Sequence, residues 1–245
     1  QSSGWYSTVC GACQREASAA DCVLLRMDRA IPSRAVSAYA DLVPGQVIAG
    51  DFRVVRRLAA GGMGAVYVAE QISTGRLRAL KLMLPGLLGD AASRERFVQE
   101  ARVGARIASE HVVEVVAAGI DSDSGAPWLA MELLEGEDLG ERVQTRGPFA
   151  PGEVLEIYNQ LCHALAAAHH VGLVHRDLKP ENVFMAVPRR QGVAFTVKVL
   201  DFGIAKVVGG AQSAAENSQL IGSPLWMPPE QTEARAAIRP ATDVW

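Results

Sequence analysis

Lysine is scarce in this chain. It stands only at positions 81, 179, 198 and 206, against 20 arginines. Arginine therefore meets any general need for positive charge, and a lysine that persists should be needed as a compact, hydrated ammonium on a flexible stem. Charge of one sign is also lacking: a net charge of -3 over 245 residues gives no reason to expect nucleic acid or an anionic membrane as a partner. No run approaches the roughly 18 consecutive apolar residues of a membrane span, and the N-terminus lacks a basic, then apolar, signal pattern. Only four cysteines occur, three of them within residues 10–22, which excludes a disulfide framework for a domain of this size and fits a reducing cytoplasm. The chain ends on "ATDVW" with no tail or cap and reads as a fragment, so an anchor elsewhere in a longer protein stays open.

What is present divides near residue 50. Residues 1–30 hold the cysteine cluster and 31–50 an alanine-rich connector; structure signals are dense from 51 to 245. "DFRVVRRLAA", "AVYVAE" and "RLRALKLML" read as strands, the first two separated by a glycine turn. Residues 92–108 carry apolar or small side chains at 97, 98, 101, 105 and 108, a helical spacing. In "FAPGEVLEIYNQLCHALAAAHHVG", Val154, Ile157, Tyr158, Leu161, Leu165 and Ala168 recur every three or four residues, with Pro151 suited to the first turn and Gly172 to the stop. Cys162 falls on the apolar face of that helix and reads as a small core residue. The expectation is an α+β chain, strand-rich first and helix-rich second.

In "LAAGGMGAVYVAE", Gly61, Gly62 and Gly64 lie between two strands, where missing Cβ atoms permit tight turning and leave N–H groups exposed to a phosphate chain. The blander reading is a plain hairpin turn. No Gly-Lys-Ser/Thr follows, so this is not a Walker A loop, and the next element is a strand where a Rossmann unit needs a helix. Lys81 sits inside the apolar strand "ALKLML", where an ammonium is costly unless paired or snorkelling to solvent. Its expected partners are phosphate oxygens and a helix carboxylate, Glu100 first and Glu95 as the alternative.

Between two apolar segments, "LVHRDLKPENVFM" packs His175, Arg176, Asp177, Lys179, Pro180, Glu181 and Asn182 into eight residues. Pro180 stiffens the stretch, as chemistry requires and a linker does not. A hairpin then delivers Asp201-Phe202-Gly203. Asn182 and Asp201 offer hard oxygen ligands suited to Mg²⁺, with Mn²⁺ as a substitute. Asp177 is left to accept a hydrogen bond from an incoming hydroxyl, and Lys179 can follow the oxygens of a migrating phosphoryl group.

The glycine turn, strand lysine, helix glutamate, "HRDLKPEN" and "DFG" occur in an order that resembles the eukaryotic-like protein kinases, and "GSPLWMPPEQ" resembles that family's substrate platform. "GGMGAVY", "PEQ" and the arginine- and alanine-heavy background look most like bacterial Hanks-type serine/threonine kinases. The resemblance implies a two-lobed fold with an N-lobe over 51–133 and a partial C-lobe over 134–245. It implies that Lys81, paired with Glu100, holds the α- and β-phosphates of ATP, and that Asp177 positions the acceptor hydroxyl. It also implies Lys179 on the transferring phosphate and Asn182 and Asp201 on the metals. By the same resemblance Met131 is the gatekeeper, Glu132 and Leu134 give the hinge backbone, and Leu58, Val66, Ala79 and Phe184 enclose the adenine. His175 and Phe202 would join a hydrophobic spine. The implied partners are ATP and protein substrates with serine or threonine acceptors, with self-association for trans-autophosphorylation. A nucleotide-binding scaffold without transfer and a small-molecule phosphotransferase are the competing readings.

Departures from the pattern are Ala59 for the first loop glycine, Trp226 for a tyrosine, Pro228 for an alanine, and a Glu230 without its usual arginine. Asp243 would brace the catalytic loop. Cys10, Cys13 and Cys22 have partial zinc-ribbon spacing without a fourth ligand, which leaves zinc, ordinary thiols and a degenerate ribbon all open. Arg176 is an unbalanced cation beside Asp177, and phosphorylation of Ser218 or Ser213 would supply about two negative charges to it. Ser223 aligns with a structural threonine of the family.

Overall fold

The computed structural model describes residues 42–61, 64–84, 88, 90–188, 192–202, 224–232 and 238–245. Cys10, Cys13, Cys22, Gly62, Ser213, Ser218 and Ser223 lie outside these residues. The alternating stretches after residue 50, with one short strand before it, build an antiparallel sheet of six strands: β1 (Val47–Ile48), β2 (Phe52–Gly61), β3 (Gly64–Gln71), β4 (Arg76–Met83), β5 (Val115–Ile120) and β6 (Pro127–Glu132). Their order is β1-β2-β3-β4-β6-β5. In the register, Val66 lies opposite Lys81 and Lys81 opposite Leu129, while Ala79 lies opposite Val68 and Met131. Opposed residues share a face and alternate residues return to it, so Val66, Ala79, Lys81, Leu129 and Met131 all look the same way. The other face buries Phe52, Val54, Tyr67, Leu80, Leu82 and Trp128 as a separate apolar cluster.

Helix α1 (Ala91–Gly104) covers the first face, packing Phe97, Val98 and Ala101 against Ala79, Leu129 and Met131. Asp90 caps it by accepting from Ser93 N at 2.6 Å. The helix ends at Gly104, short of the expected 108, because glycine is a poor helix former and Ile107 turns away to pack with Val112, Ala164 and Val199. The connector assigned to 31–50 also ends earlier than expected. Ile48 is buried, Leu42 packs against the same cluster, and β1 pairs with β2, so Val47 and Ile48 belong to the sheet.

The second lobe contains α2 (Leu139–Arg146), α3 (Pro151–His170), a small sheet of β7 (Gly136–Asp138), β8 (Val183–Ala186) and β9 (Thr196–Val199), and the short helix α4 (Pro229–Thr232). Pro151 opens α3, and Gly172, with φ 79°, closes it through its N–H to His169 O at 3.0 Å. The buried stripe of α3 is Ile157, Gln160, Ala164, Leu165 and Ala168. Val154 and Tyr158 are exposed, and so is Cys162, which corrects its expected place in the core. The alanines make apolar character nearly continuous around the C-terminal half, so spacing alone does not select the packed stripe. Among the described residues no helix is long and apolar enough to cross a membrane.

Candidate active site

The two lobes meet where residues 111–113 pair with β9. Val199 N donates to His111 O at 2.8 Å and Val113 N to Val199 O at 3.0 Å, which places Asp201 directly beneath the first sheet face. Lys81 Nζ reaches Asp201 Oδ2 at 2.7 Å. Burial alone would push the Asp201 carboxyl up, but the charge and hydrogen bond of Lys81, aided by Lys179, outweigh it and hold the carboxyl below its ordinary value. Asp201 also has a left-handed backbone, φ 59°, a strained conformation of the kind found at functional sites.

Asp177 is fixed by its neighbours in the loop. Lys179 Nζ lies 3.1 Å from its Oδ2, and Asn182 Nδ2 donates to the same oxygen at 2.9 Å and to Asp177 O at 2.7 Å. Both partners of that amide nitrogen are acceptors, so Asn182 Oδ1 is the atom it offers elsewhere. Pro180 begins the single 3₁₀ turn that holds Asn182. His175 is fully buried: its Nε2 donates to Leu200 O at 2.7 Å, its Nδ1 accepts from Asp177 N at 3.2 Å, and its ring meets Phe202 edge-on at 4.7 Å. Burial holds His175 below its ordinary 6.5 against the pull of the Leu200 carbonyl and nearby carboxylates. The neutral imidazole thus ties the Asp177 loop to the strand carrying Asp201.

Asp243 braces this loop as the sequence implied. Its carboxylate accepts from His175 N and Arg176 N, each at 2.8 Å, and from His169 Nε2 at 2.7 Å. Glu230, without its usual arginine, accepts from Thr242 Oγ1 at 2.9 Å.

Beside these groups lies a pocket lined by Glu100, Phe97, Leu129, Met131, Asp201 and Phe202, among others. Of the two helix carboxylates weighed for Lys81, Glu100 faces this pocket and Glu95 is exposed. The carboxylate that Lys81 meets here is Asp201. Val66 and Ala79 share the sheet face with Met131, while half-buried Leu58, Leu134 and Phe184 lie on β2, after β6 and on β8. Glu132 N donates to Glu114 O at 3.0 Å, which ties the end of β6 to the chain before β5. Gly64, with φ 146°, lets β3 cross β4 closely: a Cβ there would lie 2.0 Å from Leu82 O.

Two participants escaped the sequence reading. Lys198 on β9 forms an ion pair with the buried carboxylate of Glu132, joining the end of β6 to β9. The scarcity that singled out Lys179 applied equally to Lys198: the three described lysines all pair with carboxylates of this site. The other is Gln231, whose Nε2 donates to Arg176 O at 2.8 Å.

A strand-rich lobe with one packed helix, a mainly helical lobe, and this lysine–aspartate–asparagine constellation between them define a two-lobed, protein kinase-like fold. The chain belongs to the protein kinase domain family, whose match spans residues 52–245. It is 41% identical over 233 residues to serine/threonine-protein kinase Pkn1 of Myxococcus xanthus, covering 92% of this chain and 33% of that protein. That share exceeds what residues 52–245 alone supply, so the likeness reaches into the N-terminal segment. Serine/threonine-protein kinase pkn2 of the same organism is 43% identical over 187 residues, covering 76% of this chain and 22% of that protein. Among solved structures, the kinase domain of Mycobacterium tuberculosis PknI is similar, with a TM-score of 0.58, 32% identity and 70% of each chain covered. The chain spans about a third or less of the length of these curated relatives.

Proposed function

We propose that the protein carrying this chain is an ATP- and Mg²⁺-dependent kinase that phosphorylates serine and threonine residues of other proteins in bacterial signalling. The observation that carries this reading is the placement of Asp177, Lys179 and Asn182 on one rigid loop, bound through His175 to the strand that presents Asp201 to Lys81.

The residues fit a hard cation. Asp201 is held ionised, Asn182 is oriented with its carbonyl oxygen outward, and no cluster of three protein ligands occurs among the described residues, so phosphate and water oxygens would complete the shell. Bound there, Mg²⁺ would neutralise phosphate charge. Asp177 accepts the hydrogen bond of the acceptor hydroxyl and orients its oxygen for attack. Lys179, already 3.1 Å from Asp177, is placed to balance the charge of the transferring group. Lys81 holds the α- and β-phosphates, and in this reading Glu100, which faces the pocket from α1, takes up the lysine when the nucleotide is engaged. Met131, Val66, Ala79, Leu58, Leu134 and Phe184 receive the adenine, and Gly61, Gly62 and Gly64 cover the phosphates.

Regulation by phosphorylation at Ser218 or Ser213 is part of the proposal. Its support is Arg176, whose Nε is buried without a hydrogen-bond partner among the described residues, so an arriving anion would find a donor in place. A cytoplasmic setting and trans-autophosphorylation complete the reading.

The test is phosphate transfer by full-length Lys81→Met and Asp201→Ala variants. Both should fall below about a tenth of wild-type rate, with kcat and kcat/KM lowered together. Retention of more than that by either variant removes the assigned roles.

A further inference from the structure

Arg176 has a left-handed backbone, φ 70°, which an L side chain adopts only at a steric cost. Two side chains grip that residue from opposite sides. Its N–H donates to Asp243 Oδ1 at 2.8 Å, and its carbonyl accepts from Gln231 Nε2 at 2.8 Å. The peptide unit joining Arg176 to Asp177 is therefore held at both of its polar atoms, the oxygen by Gln231 and the N–H by His175 Nδ1 at 3.2 Å. Fixing both ends of a peptide dipole fixes its plane, and the Cα of Asp177 lies in that plane.

The grip is part of a closed circuit. Thr242, next to Asp243, donates to Glu230, next to Gln231, at 2.9 Å, so helix α4 and the 240–244 turn clamp Arg176 as one unit. Gln231 Oε1 is buried with no hydrogen-bond partner among the described residues, which leaves the bond to Arg176 as the polar contact that orients this amide. Because the partner is a carbonyl, only the amide nitrogen can make it. Shortly before α4 stand Leu225, 90% exposed, and Trp226, 48% exposed, within the segment that resembles a substrate platform.

We propose that Gln231 is a positioning residue: it holds the Arg176–Asp177 peptide in its strained orientation and so couples the 224–232 segment to the aim of the Asp177 carboxylate. The inference rests on Asp177 having the role given above, but the grip itself is measurable without catalysis.

The experiment uses the full-length protein with Gln231→Leu, which keeps most of the volume and removes the donor. Amide hydrogen exchange over residues 173–182 should accelerate relative to wild type. With ATP and a serine-containing acceptor, kcat should drop roughly tenfold, on the scale of one lost hydrogen bond, while the KM for ATP stays within about twofold. Wild-type exchange together with wild-type kcat overturns the proposal. If the wild-type protein itself transfers no phosphate, the kinase reading fails and exchange alone decides: acceleration upholds the grip and no change overturns it. Should Gln231→Leu not fold, Gln231→Glu serves, since a carboxyl donates only when protonated. Exchange over 173–182 in that variant should slow towards wild type as pH falls from about 8 to about 5, through the carboxyl range, once the intrinsic pH dependence is divided out. A pH-independent ratio overturns the proposal.

Discussion

Replacing Lys198 with methionine strands a buried charge at the junction of the lobes. Glu132 is 3% exposed and Lys198 12%, and the carboxylate also accepts from Glu114 N at 3.0 Å. Removing one member of a buried pair generally costs about 3–5 kcal/mol, because the survivor is left desolvated and unbalanced. For a domain of this size each kcal/mol lowers Tm by roughly 2–4 °C, so Lys198→Met should lose roughly 6–20 °C. Adding Glu132→Leu removes the stranded charge. The double variant should recover most of the loss, short by about 1–3 kcal/mol for the Glu114 N–H left without its acceptor. Thermal and urea unfolding of wild type, both single variants and the double variant complete the cycle. A Lys198→Met variant within about 1 kcal/mol of wild type, or a double variant no more stable than it, would show that Lys198 does not balance a buried Glu132 charge.

Gly64→Ala should destabilise by about 1–3 kcal/mol or more, since its Cβ would meet backbone oxygen at 2.0 Å. Gly61→Ala, with nothing within 4 Å of its Cβ, should stay within about 0.5 kcal/mol in the same urea titration. His175 binds its proton less tightly folded than unfolded, so its contribution is complete above its ordinary 6.5 and is lost as pH falls through and below that value. The urea midpoint of wild type should therefore decline between about pH 7 and 5 more steeply than that of His175→Leu; equal slopes would contradict this. Asp201, also lowered, acts in a separate window below its ordinary 3.8.

The site was most legible where chemistry is contiguous in the chain. Asp177, Lys179 and Asn182 fall within six residues, and a polar block bounded by apolar strands has few purposes other than a site. Asp201 could be read from the hairpin that precedes it. Contacts across large separations in sequence were harder: Lys198 meets Glu132 over 66 residues and Gln231 meets Arg176 over 55, and neither pair has a local pattern to announce it. Lys81 shows the limit differently. Its strand and its need for a carboxylate were clear from an ammonium among apolar residues, yet the choice between α1 and the strand end is a question of conformation, and the structure brings it to Asp201. Periodicity placed α3 correctly but not its buried stripe, because alanine fits core and surface alike. The connector's last residues were misassigned because β1 is only two residues long, too short for any period to show.

In the proposed function Asp177 orients an acceptor hydroxyl for phosphate transfer from ATP. The most direct measurement is γ-phosphate incorporation into protein by the full-length wild type and by Asp177→Asn, followed by identification of the phosphorylated residue type. The wild type should give phosphoserine and phosphothreonine, and Asp177→Asn should lose at least about a hundredfold, the scale of a positioned general base, with nucleotide binding retained. A wild type that binds nucleotide but transfers nothing, or an Asp177→Asn variant that transfers at the wild-type rate, would contradict it.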